Sequence, residues 1–135
     1  MEHDSRNRRR ALQDKYGFLK PTSLKEGLMA FGFDCGDGWL GILEELFEKI
    51  DEFVKEEKPG GFKVIQVKEK FGCLSVYVEG GNEVIERMIR EAGAKAVKTC
   101  QECGAPGQLR QSDTGWWRTE CEACRAKRPS RWSKN

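Results

Sequence analysis

The chain has 135 residues, 24 Lys plus Arg against 22 Asp plus Glu, and six cysteines. That length describes one compact domain or a small domain with an appendage, and no run approaches the ~20 apolar residues that a membrane span requires, so a soluble chain is expected. A net charge of only +2 is far from the profile of an obligate nucleic-acid coat, so any basic partner surface must be local.

Basic charge is concentrated at the two ends. Residues 1–22 carry Arg6, Arg8, Arg9, Arg10, Lys15 and Lys20 with a weak apolar pattern at Leu12, Tyr16 and Leu19, and read as a basic N-terminal arm, helical or loose. Ser23 and Glu26 then have the spacing of a capping box, opening a short turn through Leu24, Leu28 and Met29 that Gly32 stops. In FDCGDGWLGILEELFEKIDEFVKEEKPGG, Trp39, Leu43, Leu46, Phe47, Ile50, Phe53 and Val54 recur at three- and four-residue steps. They predict one face of a helix whose other face carries Glu44, Glu45, Glu48, Asp51 and Glu52. Asp37 is the expected N-cap and Pro59-Gly60-Gly61 the expected end. The acidic face reads as a solvated surface, with docking of a basic partner as the sharper alternative.

Phe62 to Lys70 and Cys73 to Glu79 are rich in Val, Ile, Phe and Tyr and predict two strands joined by a tight hairpin, with Gly72 free to take a positive φ. Leu74, Val76 and Val78 alternate toward one face and are expected to pack on the long helix. Asn82 is a good N-cap for a second helix running to Lys98, with Glu83 and Glu86 in its first turn and Val84, Ile85, Met88, Ile89, Ala92 and Ala96 as its buried stripe. The expected class is α+β: a helix-strand-strand-helix core over residues 23–98, an appended zinc β-ribbon over 99–125, and a basic tail over 126–135.

The ribbon follows from cysteine spacing. Cys100 and Cys103 form one Cys-x-x-Cys pair and Cys121 and Cys124 another, separated by GAPGQLRQSDTGWWRTE, a length suited to an out-and-back β-ribbon. Two such pairs match the tetrahedral demand of Zn²⁺, and four thiolates fill every coordination position, which predicts structural rather than catalytic zinc. A thioredoxin-like redox pair has no use for a second matched pair. Disulfides would suit a secreted chain, but the start, MEHDSRNRRR, is not an apolar signal stretch, so a reducing cytoplasm is the expectation. A two-stranded sheet with two helices is a thin core. A zinc ion contributing on the order of 10 kcal/mol is expected to hold the ribbon, with residues 100–124 unfolding first on metal loss.

No catalytic constellation assembles from the remaining residues. The sole histidine, His3, lies in the arm, and no P-loop or dinucleotide fingerprint is present. Asp34 and Asp37 flank Cys35 in a glycine-rich turn, where a carboxylate could bind a cation or serve as an acid or base, but such residues more often cap a helix. The expectation is a non-enzymatic chain.

The strings FDCGDGW, VIQVKEKFGCLSVYV, TCQECGAPGQLR and GWWRTECEAC together resemble a family of small proteins of bacteriophages and prophages of proteobacteria, over residues 31–125. The chain departs from that family where its members often have Gly at the position of Cys73 and a Cys-x-x-His pair at the position of Cys121 and Cys124. The resemblance implies a phage or prophage setting inside a bacterial host, and no particular activity.

Two binding expectations follow. In one, Trp116 and Trp117 with the ribbon form a protein-binding surface that occupies a host complex, such as transcription or defence machinery, with aromatic and arginine anchors. In the other, Arg110 and Arg118 neutralise phosphates, Trp116 and Trp117 stack on bases, and Arg125, Lys127 and Arg128 extend the basic track over nucleic acid. Against both stands a plainer possibility, that one tryptophan packs on the knuckle while its neighbour lies under arginine stems.

Overall fold

The computed structural model describes residues 2–21, 29, 32–112 and 114–127 and has the expected α+β class. The capping box at Ser23 and Glu26 and the tail from Arg128 onward lie outside the described residues. Helix α1 spans Glu2–Lys15 and a 3-10 turn follows at Gly17–Leu19. The same segment, read from sequence as an arm, is part of the core: Leu12, Tyr16 and Leu19 are buried in the common apolar cluster. Phe18 extends this anchoring, stacked on Tyr16 with ring centroids 5.2 Å apart and edge-on to Phe62 at 5.3 Å.

A 3-10 turn at Asp37–Trp39 leads into α2, Leu40–Glu57. Trp39, Leu40, Leu43, Leu46, Phe47 and Ile50 are buried, as the periodicity predicted. Asp37 is not the N-cap of α2, a position held by Trp39. Its carboxylate instead receives Arg9 Nε at 2.6 Å, because α1 lies across this turn. The helix closes at Lys58, one residue before Pro59, in a left-handed conformation (φ 47°) that lets its N–H donate to Val54 O at 2.9 Å. The acidic face is largely paired within the chain: Glu44 takes a two-pronged contact from Arg8 (2.9 and 2.6 Å), Glu45 meets Lys95, and Asp51 meets Lys55. The Arg8 guanidinium holds the Glu44 carboxyl below its usual range.

Strands β1 (Lys63–Lys70) and β2 (Cys73–Glu79) form the predicted antiparallel hairpin, turning through Phe71 and Gly72 with φ of 54° and 82°. Two left-handed residues in sequence match the twist of the flanking strands. The register slips between Val64 and Gln66. Without that bulge Val64 and Val67, an odd number of residues apart, would face opposite sides; with it both are fully buried. Helix α3 (Glu83–Ala96) begins at Asn82, whose Oδ1 accepts the N–H groups of Val84 at 3.0 Å and Ile85 at 3.1 Å. Ile85, Ala92 and Ala96 are buried and Met88 and Ile89 pack against the core, whereas Val84, assigned to the stripe from sequence, is exposed on the first turn. The helix ends at Ala96, two residues short of Lys98.

The second hairpin pairs β3 (Gln108–Gln111) with β4 (Trp117–Glu120), and a short helix α4 (Glu122–Lys127), not anticipated from sequence, follows. Among the described residues no helix is long and apolar enough to cross a membrane.

Candidate metal centre

The turn after α3 brings Cys100 and Cys103 to the foot of the ribbon, and the end of β4 returns Cys121 and Cys124 to the same place. Their four Sγ atoms lie within 4.8 Å of one another, and Cys103 Sγ is 3.7 Å from Cys121 Sγ. A tetrahedron with metal–sulfur bonds of about 2.3 Å has edges of about 3.8 Å, so this cluster has the dimensions of a four-thiolate site. Two knuckle turns shape it. Gly104 N–H donates to Cys100 O at 2.9 Å with Gly104 at φ 85°, and Cys124 N–H points at Cys121 Sγ at 3.4 Å.

The thiols are electrostatically unequal. Burial pushes the Cys100 thiol up, but backbone N–H groups of Cys103, Cys121 and Glu102 outweigh it and bring the group down to about 7. For Cys103 the Ala105 N–H lowers the thiol, and burial with the neighbouring Cys121 and Cys100 leaves it raised. Burial and the other three sulfurs push Cys124 well above the ordinary thiol range. A cation binding here therefore displaces protons held by Cys103 and Cys124 and part of one from Cys100. Metal affinity, and the stability linked to it, is expected to fall as pH drops through 7. Calorimetry of metal binding in two buffers of different ionisation enthalpy should find about two or more protons released per ion at pH 7.

No family model, curated protein or solved structure matches the chain.

The knuckle is built into the core through FDCGDGW. Gly38 N–H donates to Gln101 O at 3.0 Å, and Trp39, fully buried, donates its indole N–H to Thr99 O at 2.9 Å. A Cβ on Gly38 would fall 2.7 Å from both Gly104 N and the Gln101 carbonyl carbon and closer still to Cys100 O; one on Gly36 would overlap Gln101 O. Only glycine allows this approach. Asp34 pairs with the edge of β1, its N–H donating to Val67 O at 2.9 Å and its O accepting Glu69 N–H at 2.8 Å. Arg9 then braces the loop from outside, donating to Phe33 O at 2.8 Å, to Cys35 O and to Asp37.

A second latch joins the two hairpins. Thr119, fully buried, donates from Oγ1 to Gly72 O at 2.7 Å, and Gly72 has room for no side chain because Leu109 Cδ1 and Arg118 N lie 2.5 and 3.0 Å from where its Cβ would be. The strings FDCGDGW, VIQVKEKFGCLSVYV, TCQECGAPGQLR and GWWRTECEAC thus meet at one joint between core and ribbon. From sequence, only the cysteines declared it; the clustered glycines of FDCGDGW were the signal for a close approach.

The other sequence-predicted residues fare differently. Arg110 is ion-paired with Glu122, and Arg118 with Glu102 at 2.7 Å and Glu120 at 3.4 Å, where Glu120 is only 2% exposed. Trp116 is 59% and Trp117 37% exposed, so neither ring is packed away on the knuckle. Trp116 stands in the turn before β4, which frees the pair from strict strand alternation. Arg125 and Lys127 lie exposed on α4, and Arg128 is outside the described residues.

Proposed function

We propose that the chain is a zinc-stapled, non-enzymatic binding module of phage or prophage origin that acts in the host cytoplasm by engaging a host protein complex through its ribbon. Zinc is the ion best suited to a tetrahedral all-thiolate shell in which no position stays open for substrate; iron is the other ion that four sulfurs accept, and it would colour the protein. The phage setting rests on the resemblance.

The observation that carries the protein-binding reading is the contrast on the ribbon. Its two arginines are neutralised by carboxylates of the same chain, while Trp116, Trp117 and Leu109 on the ribbon, and Phe71 at the β1–β2 turn, present apolar surface to solvent. Aromatic side chains in such a patch are the usual anchors of protein interfaces. Affinity capture from bacterial host lysate should retain a specific protein, and a Trp116→Ala/Trp117→Ala variant should lose it by about tenfold or more with its zinc content unchanged. Capture that is indifferent to both tryptophans would overturn the reading.

Nucleic acid is the second reading, favoured by Arg125 and Lys127, which have no ion-pair partner among the described residues. It requires association with an oligonucleotide that falls steeply with added salt and weakens on truncation after Cys124.

A further inference from the structure

The four sulfurs of the metal centre do not meet solvent equally. Cys100 is fully buried, Cys121 and Cys124 are half-buried, and Cys103 is exposed. With zinc bound all four are thiolates, so access decides which of them an oxidant dissolved in water reaches first. That sulfur is Cys103. Cys121 Sγ, from the other knuckle, stands 3.7 Å from it. Because the two belong to different Cys-x-x-Cys pairs, a bond between them would join the two ends of the ribbon.

A clamp that uses no metal ligand aligns those ends. Gln101 N–H donates to Thr119 O at 2.9 Å, and Thr119 N–H donates to Gln101 Oε1 at 2.9 Å. Gln101 is 4% exposed and Thr119 fully buried, so water does not compete for either bond. Cys103 lies two residues beyond Gln101, and Cys121 two residues beyond Thr119. While the clamp is closed the two sulfurs stay within reach of each other. Cys100 is placed differently: its N–H donates to Ala105 O at 2.7 Å, its O accepts Gly104 N–H at 2.9 Å, and no part of it meets solvent.

We propose that Cys103 and Cys121 are a redox pair, which hydrogen peroxide converts to a disulfide that frees the zinc and replaces it as the link across the foot of the ribbon. The Cys103 thiolate attacks one peroxide oxygen; the S–O bond forms, the O–O bond breaks and hydroxide leaves. The Cys121 thiolate then attacks that sulfur; the S–S bond forms, the S–O bond breaks and a second hydroxide leaves. Two electrons have passed from the sulfur pair to the peroxide. Cys100 and Cys124 alone do not fill a tetrahedral shell, so the site gives up its ion. The new bond closes a loop over the whole ribbon and keeps β3 and β4 paired after the metal has gone. This rests on the metal reading above and adds to it a reversible response to oxidant.

The test exposes the full zinc-loaded chain to hydrogen peroxide beside a chromogenic zinc chelator, then alkylates free thiols and maps disulfides by peptide mass. One zinc per chain should be released in step with a Cys103–Cys121 linkage, leaving Cys100 and Cys124 alkylated, and a dithiol reductant with added zinc should restore the loaded chain. Amide hydrogen exchange separates this from oxidative damage. In the linked chain β3 and β4 should exchange about tenfold or more slowly than in reduced chain stripped of metal. The proposal is overturned by linkage within either Cys-x-x-Cys pair or through Cys35 or Cys73, by zinc that stays bound while glutathione in the same tube is consumed, or by a linked chain whose ribbon exchanges as fast as the stripped one. A chain that takes up no zinc at the outset overturns the metal centre as well; one that takes it up and links elsewhere overturns the redox pair alone.

Discussion

Replacing Cys100 by serine should empty the metal site and unfold more than the ribbon. Cys100 is fully buried, and its thiol is the one that the surrounding N–H groups draw down to about 7, which makes it the first ready thiolate of the cluster. A structural zinc contributes on the order of 10 kcal/mol of apparent binding energy at neutral pH, while the whole stability of a domain is about 5–15 kcal/mol. From sequence the ribbon was expected to melt first on its own. The joint argues for a single transition, because the buried Thr119 Oγ1 to Gly72 O bond, the Gly38 N–H to Gln101 O bond and the Trp39 indole bond to Thr99 O run from ribbon and knuckle to core and would be given up if the ribbon opened. Elemental analysis of the purified variant should find no metal, and its thermal transition should be lost or displaced together with that of the helices. Cys35→Ser and Cys73→Ser are the controls. Neither belongs to the cluster, and burial holds the Cys35 thiol up at about 11, far from the thiolate that a metal needs. Both should keep full metal content, and a Cys100→Ser protein that also kept it would remove the basis for the site.

What the sequence made legible was local. The four cysteines declared themselves by spacing, α2 by its period, α3 by Asn82, and the first hairpin by Gly72, each within a window of a few residues. What it hid depends on residues far apart in the chain. The docking of α1 requires Arg9 to meet the carbonyls of Phe33 and Cys35 more than twenty positions away. Neutralisation of Arg110 and Arg118 depends on where Glu122 and Glu102 come to rest once the knuckles form. The bulge after Val64 is invisible as a period because it breaks one. Two tryptophans in a row looked as though alternation must bury one of them, yet the strand starts at the second. The strings FDCGDGW, VIQVKEKFGCLSVYV, TCQECGAPGQLR and GWWRTECEAC build the joint, so what they specify is how the ribbon is mounted rather than what it binds.

The joint itself is open to a second test, in which no ligand to the metal changes. Gly38→Ala places a methyl group 2.7 Å from Gly104 N and the Gln101 carbonyl carbon, and nearer to Cys100 O. Overpacking among side chains costs about 1–3 kcal/mol because side chains can shift. Here the obstructing atoms are backbone of a knuckle held by its sulfurs, so relief must come from parting the joint and giving up the Gly38 N–H to Gln101 O bond, a further ~1 kcal/mol. A total loss of about 3–4 kcal/mol is expected, equivalent to a fall of more than about a hundredfold in an equilibrium constant. The protein should still take up one ion per chain from excess zinc, melt well below the parent, and surrender the metal to a chelator at far lower concentration. Gly41→Ala makes the same chemical change three residues later, on the exposed side of α2, where the nearest atom is Arg8 Nη2 at 3.7 Å. It should stabilise slightly, by about 0.5–1 kcal/mol, since alanine loses less backbone entropy than glycine in a helix. Opposite signs for the two substitutions locate the effect at the contact with the metal knuckle. A Gly38→Ala protein that melts with the parent and holds its ion as tightly would show that core and ribbon do not meet there.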